Sequence, residues 1–147
     1  MHPNGYFALV LAPESADLLR LRFATLPCIL AHHCTVRYGS CDPADLPIPF
    51  TPGDLGRNFA LKVTGRARRA DGGVEAVVVA LALADGRLLD GGFTENAIPH
   101  VTVATDGVTE PVEANALLRQ GFETVDGPLL LATLVHTRAS SSGGDGL

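Results

Sequence analysis

"HHCTVRYG" (residues 32–39) and "PHVTVATDG" (99–107) share one short pattern, and the reading of the chain turns on it. The first holds His33-Cys34-Thr35-Val36 and the second His100-Val101-Thr102-Val103, each a His-x-Thr-x. Both segments are rich in β-branched residues and alternate polar with apolar positions, as half-buried strands do. Strand side chains alternate faces, so His33 and Thr35 point one way together, as do His100 and Thr102. Cys34, Val36, Val101 and Val103 then point toward a core, and Cys34 reads as small apolar filler rather than a nucleophile. His32 is expected on the face away from His33.

Working outward, strands and helices alternate. "GYFALVL" (5–11) reads as a buried strand between Gly5 and Pro13. Residues 14–26 read as a helix with Leu18, Leu19, Arg22 and Leu26 near one face, stopped by Pro27. Residues 39–57 are dense in Pro, Gly and Asp and read as a long loop of the kind that tends to be functional. Strands are expected at 58–69 and 73–83, joined by a hairpin turn at Asp71-Gly72. A second loop spans 84–99. Then come a strand at 100–105, a helix at 110–120 opened by Pro111 and followed by Gly121, and a strand at 127–138. Residues 139–147 read as a flexible tail. There is no tandem repeat, but each half carries one His-x-Thr strand.

The 147 residues fit one domain, spanning 1–138, large enough to bury a core. Apolar residues make up 46%, too high for a disordered chain. A net charge of −5 argues against a grip on long duplex nucleic acid, though local arginines can serve a small or terminal nucleotide. Lys62 is the single lysine. The opening residues lack the basic stretch of a signal peptide, and no apolar run is long enough for a membrane helix. Three cysteines (Cys28, Cys34, Cys41) without CxxC spacing do not form a disulfide framework, so a reducing cytoplasm is expected.

Two histidines paired with two threonines suit phosphodiester cleavage. One imidazole can activate water and the other can protonate the leaving oxygen, because both protonation states are accessible near neutral pH. A hydroxyl beside each imidazole can donate to a non-bridging phosphate oxygen and stabilise developing charge. The arrangement calls for no metal and no cofactor.

Here the chain resembles a known family. Paired His-x-Thr/Ser-x strands in two similar halves mark the two-histidine (2H) phosphoesterase superfamily, which includes 2′,5′ RNA ligase-like proteins and tRNA-ligase cyclic phosphodiesterase domains. "GYFALVLAPESADLL" is similar to the family's opening strand and helix. "AHHCTVRYG" is similar to its first motif, and "PHVTVATDGVTEPVEANALL" to its second motif with the loop and helix that follow. The resemblance implies a bilobal α+β fold, with two antiparallel sheets facing a central groove and helices outside. It implies hydrolysis of 2′,3′-cyclic phosphate at RNA 3′ ends or in small cyclic nucleotides, without metal, and in the ligase-type domains with a 2′-phosphate product. Catalytic residues would be His33, His100, Thr35 and Thr102. Which histidine is acid and which is base stays open.

Other residues carry weaker readings. Arg37 follows the His33–Thr35 face in strict alternation and could contact phosphate or nucleotide. Tyr6 could stack on a base or simply pack. Arg66, Arg68 and Arg69, near a hairpin tip, are a solvated turn or an RNA-backbone contact. His136 lacks a threonine two positions on and reads as a strand residue, and Asn115 has no assigned role. Two rival functions stand beside the enzyme, which is expected to be a monomer. One is a binding module for nucleotides or RNA ends without turnover. The other is a metal site built from His32, His33, Cys34 and Cys41, which strand alternation makes hard to converge.

Overall fold

The structure, a computed structural model of the chain, describes residues 3–69 and 72–138. The turn residue Asp71 and the expected tail lie outside the described residues. The apolar run after Gly5 forms β1 (Tyr6–Leu11), and α1 (Pro13–Phe23) follows with Pro13 in its first turn. Then come β2 (Cys28–Ile29), β3 (His33–Tyr38), β4 (Asn58–Arg68), β5 (Val74–Ala82), β6 (Leu88–Leu89) and β7 (His100–Thr105). Helix α2 (Ala114–Arg119), β8 (Glu123–Thr124) and β9 (Leu129–Thr137) complete the order. The long loop at 39–57 holds two single 3-10 turns, at Pro43–Asp45 and Pro52–Asp54.

All the strand pairings are antiparallel. β1 pairs with β3 and β9, β9 with β4, β4 with β5, β5 with β7, and β7 with β3, so six strands close a ring. The two-residue strands are additions to it, β2 on β7, β6 on β5 and β8 on β4. The fold is therefore mixed α+β and dominated by one barrel-like sheet, where two facing sheets were expected. The stitch is β9, which pairs through Leu129–Thr133 with β4 and through Ala132–Thr137 with β1.

Alternation puts Phe7 and Leu9, Cys34 and Val36, Val77 and Val79, and Val101 and Val103 inside the ring, fully buried together. Phe50 and Phe93 enter this core from the two long loops, where strand periodicity gave no hint of them. Outside, Val74, Ala76 and Val78 of β5 are covered by Ala114, Leu117 and Leu118 of α2. Among the described residues, no helix is long and apolar enough to cross a membrane.

Both helices are shorter than their sequence periodicity predicts. In α1 the buried stripe is Ser15, Leu19 and Phe23, spaced four apart, rather than Leu18, Leu19, Arg22 and Leu26. It ends at Phe23 because the buried carboxylate of Glu75 takes the main-chain N–H groups of Thr25 and Leu26 (2.8 and 3.0 Å) and the Thr25 hydroxyl (2.6 Å). Those bonds hold the chain in a non-helical course. The segment expected as helix 110–120 opens as a 3-10 turn at Pro111–Glu113 before α2 begins.

Candidate active site

β3 and β7 lie side by side and share one register pair, Cys34 with Val101, both with side chains fully buried inside the ring. Their neighbours along each strand point to the outer face. One antiparallel step past that pair sets Thr35 opposite His100, while His33 and Thr102 flank the pair on its other side. The structure thus brings the two histidines and two threonines of the paired motif into one group at the β3–β7 seam.

The ladder changes register upstream of that single pair and ends downstream of it. Upstream, Leu30 and Ala31 donate N–H groups to the carbonyls of Val103 and Thr102 (2.8 and 3.0 Å). The register then slips, so His32 and His33 form a bulge before Cys34. Ala31 has a φ of 44°, left-handed backbone that costs a non-glycine residue on the order of 1–3 kcal/mol. Downstream, the Val36 carbonyl accepts from the Glu95 N–H (2.8 Å), and residues 96–99 loop out before β7 starts at His100.

His32 is the first correction. It does not face away from His33, because alternation starts only at the strand and His32 belongs to the bulge. The two rings meet edge to face, 5.2 Å between centroids, with their Nδ1 atoms 3.0 Å apart. His32 is exposed and His33 half-buried. Burial pushes the His33 pKa down to about 4, helped by the nearby imidazoles of His32 and His100. His100 is held differently. Its Nδ1 lies 2.8 Å from the Ile98 carbonyl, which can only accept, so Nδ1 carries the hydrogen and Nε2 is the bare nitrogen of the neutral ring. Burial lowers its pKa too, against the opposing pull of that carbonyl.

The threonines are the sharpest feature. Thr35 and Thr102 are 4% and 8% exposed. Among the described residues, their Oγ1 atoms are the buried side-chain oxygens or nitrogens that lack any hydrogen-bond partner. An orphaned buried hydroxyl costs about 1–3 kcal/mol. Two such hydroxyls lie one on each strand of the seam, each two residues after its strand's histidine, and both are free to donate to a bound group.

Tyr6 packs its ring against His33 at 5.3 Å and is 4% exposed, so it walls the imidazole and offers little open face for a base. Arg37 is the second correction. A bulge at Val36 resets the β1–β3 register, pairing Arg37 with the inward Phe7 and Tyr38 with Tyr6. Strict alternation fails there, and Tyr38 takes the face of His33 and Thr35, with its ring 6.3 Å from that of Tyr6. Only the cross-strand register, which no local pattern reveals, could have identified Tyr38.

The remaining candidates have partners within the protein. Arg66, Arg68 and Arg69 each lie near a carboxylate, Glu123, Glu75 and Glu113 respectively, at 3.9, 3.8 and 2.8 Å. His136 Nε2 lies 2.7 and 3.0 Å from the carbonyls of Asn4 and Ser40, in reach to donate to either. Asn115 donates to the Val112 carbonyl at the start of α2. Cys34 points into the core, with its thiol pushed up to about 12 by burial, so it cannot join His32 and His33 on one ion. Among the described residues, no three His, Cys, Asp or Glu side chains are grouped to hold a metal. A cleft of about 550 Å³ runs between residues 95–98 and α2, lined by Asn96, Ile98, Asn115 and Arg119 among others, and so adjoins the loop that orients His100.

No family model and no curated protein matches the chain.

Proposed function

We propose that the protein is a phosphodiesterase of the two-histidine type that opens 2′,3′-cyclic phosphate at RNA ends or in small nucleotides. The observation that carries this reading is the pair of orphaned buried hydroxyls, Thr35 and Thr102, each two residues after the histidine of its own strand. A phosphate has two non-bridging oxygens to receive them, and the two donors would act where charge grows in the transition state. In this reading the halves β1–β3 and β5–β7 are the two lobes of the 2H fold, meeting at the single-pair seam.

The geometry favours a division of labour. His100 Nε2 is a bare nitrogen and suits the base. It takes a proton from water as the water oxygen bonds to phosphorus. The bond from phosphorus to the ribose 3′ oxygen breaks, and that oxygen takes a proton from His33 Nε2. The product is a 2′-phosphate with a free 3′ hydroxyl. Opening the other bond would require the reverse orientation of substrate, with the same residues. Tyr6 keeps the His33 ring in place from β1.

The test is an end-product assay. Protein is incubated in EDTA with 2′,3′-cyclic mononucleotides and with an oligoribonucleotide ending in cyclic phosphate, and 2′- and 3′-phosphates are separated. The expected result is a 2′-phosphate that disappears in the double variant His33→Ala/His100→Ala. Tight binding without product would overturn turnover and favour a binding module, and 2′,5′-linked oligonucleotides would be the next substrates.

A further inference from the structure

The two motif histidines are oriented by unlike partners, a main-chain carbonyl for His100 and a second imidazole for His33. A carbonyl fixes a tautomer once and for all. An imidazole can donate, accept and change charge. We propose that His32 is the positioning residue of His33: it donates its Nδ1–H to His33 Nδ1, holds the His33 hydrogen at Nε2, and replaces that proton as it leaves. The proposal rests on the two-histidine reading above for its chemical step.

The direction of the hydrogen bond follows from where charge can sit. One hydrogen lies between two Nδ1 atoms 3.0 Å apart. His33 is half-buried behind Tyr6 on β1, with His100 acting on it from β7, and these with His32 are the titratable groups that meet it. His32 is exposed to solvent. A positive charge carried by the pair is better solvated on the exposed ring of His32 than on half-buried His33. A charged imidazole carries hydrogen on both nitrogens, so His32 must donate and His33 must accept at Nδ1. That leaves His33 with hydrogen at Nε2, while the neutral His100 ring has its bare nitrogen at Nε2.

The arrangement also removes a chemical difficulty. A neutral imidazole that gave up Nε2–H alone would become an imidazolate, which is a very poor outcome. With His32 charged, the His33 Nε2 proton goes to the leaving oxygen while the His32 Nδ1 proton moves to His33 Nδ1. The pair passes from one positive charge to none, and both rings end neutral. Solvent then returns a proton to exposed His32.

The experiment records two-bond nitrogen–hydrogen NMR correlations of the imidazoles in the full chain. Wild type, His32→Ala and His32→Asn are compared, alongside steady-state kinetics on a 2′,3′-cyclic mononucleotide. His33 should be the Nε2–H tautomer in wild type and His32→Asn, whose amide still donates, and a tautomer mixture in His32→Ala. In His32→Ala, kcat should fall about 10- to 100-fold, less than the loss of the acid itself, with little change in KM. Its alkaline activity limb should move to lower pH, since His33 must then carry the charge itself. Hydrogen on His33 Nδ1 in wild type, or a tautomer unchanged in His32→Ala, would overturn the proposal. If wild type turns over no cyclic phosphate, the functional reading fails alone, and the tautomer result still decides the role of His32.

Discussion

The two His-x-Thr strands have the same letters and different physics. β7 has every residue buried and a bulge only beyond Thr102, where it pairs with β5, and its histidine is tied to its own main chain. β3 enters through a bulge and a left-handed alanine, and its histidine sits beside a solvent-exposed imidazole. A symmetric sequence motif has become an asymmetric pair. The copy on β7 has a fixed tautomer, and the copy on β3 has a route for protons. The difference arises outside the motif, in residues 31–32 and 96–98, which set what each imidazole can touch.

The comparison can be broken first at the histidines. His33→Ala and His100→Ala should each lower kcat by about 10²–10⁴-fold on cyclic phosphate, with folded circular dichroism spectra. If only one of them were severe, the two strands would not divide acid and base work. The next largest effect is on stability against pH. A histidine whose folded pKa lies below its unfolded value binds fewer protons when folded, so acid destabilises the fold. For His33, near 4 folded against about 6.5 unfolded, stability should be complete above pH 6.5 and fall by about 3 kcal/mol toward pH 4. Denaturant titrations from pH 7 to 4 would read this, and His33→Gln should flatten the slope. His100 should add a loss of the same sign.

The threonines sharpen the likeness rather than the contrast. Thr35→Val and Thr102→Val should each reduce kcat/KM about tenfold while raising stability by about 1 kcal/mol, because each removes an orphaned buried hydroxyl and keeps its shape. Thermal melts and kinetics on the same samples separate the two effects. A variant that lost both activity and stability would show that its hydroxyl serves the fold. The smallest effect is at Arg37. The bulge at Val36 sets it off the face of His33 and Thr35, so Arg37→Ala should leave kcat/KM within about threefold. A large loss would mean that the register does not govern which side chains reach substrate.

Much of this was legible in the residues. Alternation located the six ring strands, and at His100–Thr105 it gave both ends. It also placed Cys34 inside. What it missed came from partners far along the chain. The bulges at His32–His33 and Val36 are mismatches between two strands, and neither strand alone records them. The early end of α1 is imposed by Glu75, fifty residues away. Sheet closure depends on how β9 divides its length between β1 and β4, which its own run of apolar residues does not specify.

The place of β9 has a consequence for how the protein is made. Tyr6, near the start of the chain, pairs with Thr137, and the ring closes through that ladder. Synthesis delivers the N-terminal strands first, and β1, β3, β5 and β7 leave the ribosome before the strand that links β1 to β4 exists. The ring can close only after Leu129–Thr137 has emerged. Ladders of such long sequence separation also form slowly. A nascent chain truncated before Leu129 would therefore hold both histidines without the closed sheet that binds their strands together.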